Sequence, residues 1–467
     1  MVLSRIWSAF IIIAIAIASI KYVSSGHYKT IFNDMVVGKG GDTVQIASQP
    51  ISSLTPMVRD SLMKNNDFAD RRIHYKTDSL KQNVKVYRVQ EADGVIGTSE
   101  TAVKICIGLI GIMTLFMGFM SIAEKAGGIN LLSRLIQPFF SKLFPDIPKN
   151  HPAFGHMLMN FSANLLGLDN AATPFGLKAM ESLQTLNPNK DTASNSQIMF
   201  LCLHAGGMTL IPVSIIALRA SAGSKNPTDI FLYCMIATFA ATLAAMIIVS
   251  IYQKINLLKP AVLAYVGGVS VLIGLLVWYL TGLNKTDLDT FSQVLSNGLI
   301  LFIFLAIVLG AVYKKINVFD AFIEGAKEGF TTCVKIIPYL VGMLIAISLL
   351  RTSGVFDVVI DGMKWVANTL GTDPRFVDGL PTALIKPLSG SGARGMMVDT
   401  MATFGPDSFQ GKLAAVLQGS SDTTFYVIAI YFGAVAVKNT RYTVIAMLLA
   451  DLVGVITSIV LAYLFFA

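Results

Sequence analysis

Long apolar stretches are the feature of this sequence that most restricts its fold. A helix of about 20 apolar residues spans the hydrocarbon core of a bilayer, and seven stretches are suited to this: residues 6–24, 101–122, 229–252, 260–281, 294–313, 333–350 and 442–466. Only 14% of the 467 residues are charged and 54% are hydrophobic, whereas soluble proteins carry roughly 25% charged residues. The sequence therefore predicts an all-α polytopic membrane protein in contact with the lipid bilayer, and excludes an ordinary soluble enzyme or a disordered chain.

The net charge of +8 does not indicate a nucleic-acid partner, because most basic residues lie between the apolar stretches. Basic loops stay in the cytoplasm, and three short loops are basic, those of Lys254 and Lys259, Lys314 and Lys315, and Lys438 and Arg441. We therefore expect a multi-pass protein of the bacterial cytoplasmic (inner) membrane, with its amino terminus inside and residues 25–99 and the carboxyl end outside. Arg219 and Lys225 fall outside in this scheme, against the rule.

Four further apolar stretches are interrupted by Gly, Pro, Asn and Ser: residues 151–180, 196–219, 376–404 and 410–437. Interrupted helices expose backbone groups that hydrocarbon cannot satisfy, so these segments must be buried in protein or line a cavity. They belong to a repeat, because the V-K-I and L-I-G-I of residues 103–112 recur as V-K-I and L-V-G-M in residues 334–343. In the expected topology the copies start on opposite sides, which predicts an inverted repeat with broken or re-entrant helices.

Five domains are expected from this organisation. They are an N-terminal membrane anchor (1–24), an extracytoplasmic insertion (25–99), a first repeat (100–252), linking transmembrane helices with an amphipathic helix (253–332), and a second repeat (333–467). Residues 1–24 also resemble a cleavable signal peptide. In the insertion, the alternation of residues 84–89 is typical of a strand, and the glycines of residues 38–41 predict a loop.

Cysteine usage points to packing rather than to chemistry. The four cysteines lie far apart within apolar stretches, where we expect small buried side chains and neither disulfides nor metal ligands: Cys106, Cys202, Cys234 and Cys333. The sequence predicts no cofactor, no metal site and no catalytic set of residues.

Polar residues at the breaks are the candidate solute-binding groups. The first copy supplies Asn160, Ser162, Asn164, Asn170, Thr173, His204 and Thr209. The second copy supplies Ser389, Ser391, Arg394, Gln418, Ser420, Ser421 and Thr423. Half-helix ends at membrane depth present backbone groups to a ligand, but small polar residues also hold packed helices together. A lone membrane histidine commonly bridges helices, and an arginine beside a break either binds solute or extends to the membrane surface.

Asp422 and Asp451 are the candidate ion-coupling residues. A carboxylate inside an apolar segment costs several kcal/mol unless it is paired or ligated, which favours a site for Na+ or H+; the alternative is a buried bond to a neighbouring Ser, Thr or Lys. In a membrane interior, polar groups must satisfy one another or a ligand. We therefore predict that one set converges on another: Asn164, Asn170 and Thr173 on Ser389, Ser391, Gln418 and Asp422.

Longer motifs carry a resemblance to known proteins. Residues 100–252 resemble spore maturation protein A in H-P-A-F-G and N-F-S-A-N-L-L-G-L-D-N-A-A-T-P-F-G-L-K-A-M, and residues 295–467 resemble spore maturation protein B in A-F-I-E-G-A-K-E-G-F, P-L-S-G-S-G and Q-G-S-S-D-T-T-F-Y-V. The chain departs from the A-type pattern at residues 38–94 and at L-H-A-G before M-T-L-I-P. The resemblance implies a fusion within the nucleoside-recognition (Gate) group, which includes gates of concentrative nucleoside transporters and of ferrous-iron transporter B. In spore formers it implies an association with dehydration of the spore core.

The broken helices and intramembrane acids favour a transporter or permease of a small polar solute, nucleoside-like or ion-coupled. The alternative is a non-transporting membrane scaffold for envelope or spore maturation, acting through residues 25–99. An intramembrane enzyme has least support, because paired catalytic groups are lacking. The sequence leaves a homo-oligomer open.

Overall fold

A computed structural model describes residues 2–24, 30–39, 43–51, 54, 56–64, 67–70, 73–77, 83–89, 92–148, 151–165, 169–283 and 285–466. Seven helices in these ranges are long and apolar enough to cross a membrane, and each coincides with one of the seven predicted stretches. The prediction of an all-α polytopic membrane protein is therefore confirmed. The four cysteines are buried, as expected, and are free thiols in this structure.

The first copy follows the anchor helix α1 (Val2–Ser24) and the insertion. Its helices are α4 (Val95–Lys125), α5 (Gly128–Leu143), α6 (Pro152–Leu165), α7 (Asp169–Leu186), α8 (Asn195–Gly206), α9 (Val213–Ser221) and α10 (Phe231–Gln253). Two linking helices come next, α11 (Pro260–Thr281) and α12 (Lys285–Tyr313).

The second copy repeats this order of elements. It consists of α13 (Val318–Thr352), α14 (Val355–Thr369), a 3₁₀ turn (Pro374–Gly379) leading into α15 (Leu380–Ile385), α16 (Gly390–Phe404), α17 (Phe409–Gly419), α18 (Thr424–Ala434) and α19 (Thr443–Phe465). In both copies a long helix leads to an amphipathic helix, a hairpin, a broken helix and a final long helix. Residues 318–332, which the sequence predicts to be part of the linking region, form the first turns of α13 instead.

Equivalent helices of the two copies pack antiparallel. In α4 and α13, Met113 lies against Gly329 whereas Gly118, further along, lies against Phe322. In α10 and α19, the rings of Tyr233 and Phe465 are 5.3 Å apart, and those of Tyr252 and Tyr442 are 4.3 Å apart. Residue numbers therefore rise in one helix as they fall in its partner, as an inverted repeat requires.

Gly325 and Gly329 bring the backbone of α13 close to α4. A Cβ atom at either position would collide with a carbonyl oxygen of α4, at Met117 and Met113 respectively. Small residues four apart allow this approach between membrane helices. The E-G-A-K-E-G sequence therefore fixes the contact between the first helices of the two copies.

Loops at the two ends of the bundle make reciprocal contacts. At one end, Arg219 at the close of α9 reaches the α16–α17 loop, where its Nη1 donates to Pro406 O at 2.5 Å. At the other end, Lys438 in the α18–α19 loop reaches the α7–α8 loop, where its backbone N–H donates to Asp191 O at 2.9 Å. Each copy thus offers its broken-helix loop to the other copy's hairpin, the pattern of a two-fold interface. We call these the insertion-side contact and the far-side contact.

The insertion is a small folded unit, partly stranded as predicted. It contains α2 (Ile31–Val36), β1 (Gly38–Lys39), β2 (Thr43–Pro50), α3 (Pro56–Lys64), β3 (Asp67–Asp70), β4 (Ile73–Thr77), β5 (Asn83–Val89) and β6 (Ala92–Asp93). Four strands form an antiparallel sheet in the order β2-β5-β4-β3, and β1 pairs with β6. The predicted loop at residues 38–41 is therefore wrong for Gly38 and Lys39, while residues 40–42 lie outside the described residues.

Side-chain contacts place the insertion at one end of the bundle. Its core of Val58, Leu62, Val84 and Val86 packs against Phe404, the last residue of α16. Phe404 immediately precedes the loop that receives Arg219, which gives the insertion-side contact its name. Helix α1 lies along α13, with Trp7 Nε1 donating to Gly342 O at 2.9 Å and Lys21 Nζ to Ser353 O at 2.7 Å.

Candidate functional site

The broken helices of the two copies touch at their breaks. Helix α8 ends at Gly207, whose φ of +63° places it in the left-handed region, and this glycine lies against the backbone of Ser421 and Asp422. The Asp422 N–H donates to Ala205 O at 2.8 Å. Backbone groups released where one copy's helix ends are therefore satisfied by the other copy, as a membrane interior demands.

His204 connects polar groups of both copies. Its Nδ1 lies 2.8 Å from Asn164 Nδ2 and 3.1 Å from Asn160 Oδ1, both on α6. Its Nε2 faces Asp422 Oδ2 at 3.8 Å, and the side chain is 5% exposed against 44% for Asp422. The asparagines thus contact one ring nitrogen of the imidazole, while the other ring nitrogen points across the break at a carboxylate.

Asn160 and its neighbours build the wall around this histidine. Asn160 also donates from Nδ2 to Ala172 O at 2.7 Å, which ties α6 to α7. The ring of Tyr431 on α18 stands edge-on to His204 at a centroid distance of 5.0 Å, and its hydroxyl lies beside Asn160 and Thr173. The hairpin of the first copy and the broken helix of the second therefore enclose the imidazole together.

A second group of polar residues gathers at the start of α16. Ser389 caps this helix by accepting from Gly392 N at 3.0 Å, with Ser391 Oγ 3.4 Å from its hydroxyl. Gln418 Nε2 donates to Gly390 O at 3.5 Å. Thr423 Oγ1 lies so close to Gly390 that a Cβ there would approach it to 2.8 Å. The second copy's hairpin and broken helix thus meet beside Asp422.

Asp451 and Lys386 are two buried charged residues next to this group. The Asp451 carboxylate accepts from Thr424 Oγ1 at 2.5 Å, lies near the Ser421 hydroxyl, and interacts electrostatically with Lys386. Lys386 Nζ donates to Gln418 O at 2.6 Å. Both side chains are buried, at 6% and 8% exposure. The alternative interpretation of Asp451, a buried bond to a neighbouring Ser, Thr or Lys, therefore agrees with its bond to Thr424.

Several predicted site residues lie apart from these groups. Ser162 bonds Ser133 at 3.1 Å, because two residues along a helix turn a side chain about 200° away from Asn160. Ser420 bonds Leu417 O, and Thr209 bonds Gly207 O, each within its own segment. The side chain of Asn170 lies outside the described residues.

Arg394 lies one turn into α16 from the serines and lines a separate small cavity. This cavity has a volume of about 20 Å³ and is otherwise bounded by Leu109, Met113, Ser214, Leu218, Leu340 and Ser391. Space of that size accommodates about one water molecule. The predicted convergence is therefore partial: Asn164 reaches Asp422 through His204, and Asp422 adjoins the serine and glutamine group through Thr423.

Three residues outside the predicted set make buried polar contacts, two of them at the breaks and one, Arg219, in the insertion-side contact. Lys386, Tyr431 and Arg219 are all buried, although Lys and Arg are rarely buried in proteins. The sequence signal for Lys386 was its position directly before the Pro-Leu-Ser-Gly break. For Arg219 it was the violation of the charge rule, since a cation on the expected outer side is explained if it is buried and paired. Among the residues that the structure describes, no group of three or more His, Cys, Asp or Glu could hold a metal ion.

Comparison with known proteins identifies relatives for most of the chain. The family model for Gate, nucleoside recognition, matches residues 106–256 and 333–438. Spore maturation protein B of Bacillus subtilis (strain 168) is 46% identical over 172 residues, which is 37% of this chain and 95% of that protein. Spore maturation protein A of the same organism is 45% identical over 156 residues, 33% of this chain and 80% of that protein. No solved structure matches the chain.

The two relatives are each covered almost completely, and each by a part of this chain, which is consistent with a fusion of the two kinds of protein. The family model covers more than half of the residues, in two segments that contain the breaks described above. The chain belongs to the Gate, or nucleoside-recognition, family of membrane proteins.

Proposed function

We propose that this protein transports a small polar solute across the bacterial cytoplasmic membrane, without enzymatic conversion, and binds the solute between the two breaks. The observation that carries the proposal is the 3.8 Å separation of His204 Nε2 and Asp422 Oδ2. A hydrogen bond between such atoms would be about 2.7–3.2 Å long, so the two groups do not bond each other directly, and Asp422 is left partly exposed. The two groups come from opposite copies, which is where repeat transporters place their solute.

The groups around His204 and Asp422 suit a solute with hydrogen-bond donors. An ionised Asp422 carboxylate can only accept hydrogen bonds, and it is half-exposed, whereas Asn160 behind His204 is buried. Tyr431 beside the imidazole offers an aromatic edge. The family description, nucleoside recognition, makes nucleosides the first class to test, with Na+ or H+ coupling through Asp422 and Asp451 as the accompanying prediction.

Uptake into proteoliposomes tests the proposal directly. Purified protein is reconstituted, and a panel of nucleosides and other small polar solutes is offered with an imposed Na+ or H+ gradient. The Asp422→Asn variant keeps side-chain size but removes the charge, and we expect uptake to fall about 10-fold to 100-fold, the loss of one charge-assisted hydrogen bond.

Asp361→Asn provides the matched control. Asp361 lies on the exposed face of the amphipathic helix α14, so this variant should transport at the wild-type rate. Unchanged uptake and ion dependence in Asp422→Asn would remove Asp422 from the mechanism. Equal uptake by liposomes with and without protein across the whole panel would contradict transport itself.

The folded sheet outside the helical bundle favours a second candidate, a scaffold that recruits envelope proteins through the insertion. Strands β1 and β6 hold the ends of the insertion side by side, with Gly38 opposite Asp93. Residues 40–91 can therefore be replaced by a short Gly-Ser linker. A transporter should keep its flux after this replacement, whereas a scaffold should lose its cellular phenotype while the helical bundle stays folded.

A further inference from the structure

Lys386 places a positive charge at the end of a half-helix inside the bundle. Its ammonium donates to the carbonyl of Gln418 at 2.6 Å, and Gln418 lies in the last turn of α17, which ends at Gly419. Carbonyls in the last turn of a helix have no partner within the helix and carry its partial negative charge. Coupling cations of repeat transporters bind at such half-helix ends.

The groups around this ammonium are those that would bind a hard cation. Gln418 supplies a backbone carbonyl that accepts from the ammonium, and Asp451 supplies a carboxylate that interacts with it electrostatically; that carboxylate accepts from the Thr424 hydroxyl and lies near the hydroxyl of Ser421. Hard cations take oxygen ligands of just these kinds, namely carbonyls, hydroxyls and carboxylates. Asp451 balances one positive charge, and the chain supplies that charge itself.

The first copy has a neutral residue at the corresponding place. Asn164 lies in the last turn of α6 and contacts His204, which is in the last turn of α8. Lys386 follows α15 and contacts Gln418, in the last turn of α17. The two contacts are equivalent in the order of elements, so the buried ammonium belongs to the second copy alone.

We propose that the Lys386 ammonium fills a cation position at the end of α17, so that the second copy is complete without bound Na+. The inference rests on the proposed transport function for its biological meaning, since it decides between the coupling ions. It predicts that replacing Lys386 with a shorter neutral residue opens a Na+ site formed by Asp451, Ser421, Thr424 and the Gln418 carbonyl.

Thermal unfolding of the purified full-length protein tests this without any solute. Wild type, Lys386→Asn, which copies Asn164, and Lys386→Gln are each heated in NaCl and in choline chloride at equal ionic strength. Any difference between the two salts in wild type should be unchanged by Asp451→Asn, and the variants are compared with that baseline. The variants should unfold about 2 °C or more higher in NaCl, the shift expected for an ion at ~10 times its Kd. Adding Asp451→Asn to Lys386→Asn should abolish this difference.

Every result bears on the proposal. A Na+-specific shift in wild type that Asp451→Asn abolishes and Asp422→Asn leaves in place would overturn it, because the position would then be open to Na+ in the native protein. Variants that unfold identically in both salts, or that fold in neither, would also overturn it, because Na+ then fails to replace the ammonium. Since the readout is independent of flux, a failure to find any transported solute would contradict the proposed function and leave this result standing.

Discussion

The two copies of the repeat have the same elements in the same order but differ in where they carry charge. At the breaks, the first copy surrounds His204 with two asparagines, whereas the second holds Lys386, Asp422 and Asp451. A backbone plan can therefore be duplicated while the chemistry of its two halves diverges. Amide groups surround His204 in the first copy, whereas the described polar groups of the second copy include three charged side chains.

The two ends of the bundle also differ in how deeply their charged side chains are buried. The insertion-side contact is built on Arg219, which is fully buried and bonded to Asp229 at 2.8 Å and Asp407 at 3.1 Å. The far-side contact consists of backbone hydrogen bonds, of side-chain bonds from Arg441 and Gln184, and of an ion pair between Lys438 and Asp191, which are 3.9 Å apart and largely exposed. Removing one partner of a buried ion pair lowers the free energy of unfolding far more than removing one partner of an exposed pair. The far side is therefore the end that we expect to open more easily.

Arg219→Met should have the largest effect of the changes considered. It removes the donor to Pro406 O and the cation beside Asp407, which keeps only its bonds from Ser224 Oγ and Lys225 N. We therefore expect a loss of about 3 kcal/mol in the free energy of unfolding, at the low end for a broken buried pair. The loss is moderated because Asp229 keeps Lys412, 2.7 Å away. Unfolding in detergent, followed by circular dichroism against denaturant, measures it.

Lys438→Met is the control on the far side. Because both partners are exposed, this change should alter the free energy of unfolding by no more than about 1 kcal/mol. Equal losses in the two variants would show that the two ends are equally strong, and would end the argument for preferential opening of the far side.

A second pair of changes tests the two faces of α6. Asn160→Ala leaves the Ala172 carbonyl without its donor and His204 without one of its supports, and should cost about 1–3 kcal/mol of stability as well as reduce uptake. Ser162→Ala removes one bond to Ser133 at the opposite face and should cost about 1 kcal/mol or less, with uptake unchanged. Reduced uptake in Ser162→Ala, with uptake intact in Asn160→Ala, would place the solute on the wrong face in our account.

The sequence was sufficient for features that depend on local composition. The seven spans followed from the length of the apolar stretches, and β5 followed from alternation, since Val84 and Val86 are buried while Lys85 is exposed. The inverted order followed from comparing the copies and the charges of their loops. These predictions required no knowledge of which segments meet in space.

Features that depend on distant contacts were missed or misplaced. Arg219 looked like a misplaced loop charge because its partner Asp407 lies 188 residues away in sequence. Lys386 was passed over because nothing near it in sequence indicates that Gln418 and Asp451 approach it. Gly38 and Lys39 were expected in a loop, because their partners, Asp93 and Ala92, follow a long intervening segment. Polar residue type identified candidates, but only the packing decided which side chains face the break.

The last and smallest prediction concerns Gly207, which lies where the breaks of the two copies touch. Its positive φ is costly for any residue with a Cβ, about 1–2 kcal/mol, and a Cβ there would lie 3.2 Å from Asp422 N. Gly371, with φ of +70° and no atom of the described residues within 4 Å of a built Cβ, would pay the backbone cost alone. Gly207→Ala should therefore lose somewhat more stability than Gly371→Ala.

Uptake separates the two glycine variants. Gly207→Ala pushes against the backbone of Ser421 and Asp422, and so displaces the carboxylate from His204. We expect its uptake in proteoliposomes to fall several-fold, about 1 kcal/mol of lost interaction, while Gly371→Ala transports normally. If both variants transport alike, the contact between the breaks positions no transport residue, and the two halves would have to act through α4 with α13 and α10 with α19 instead.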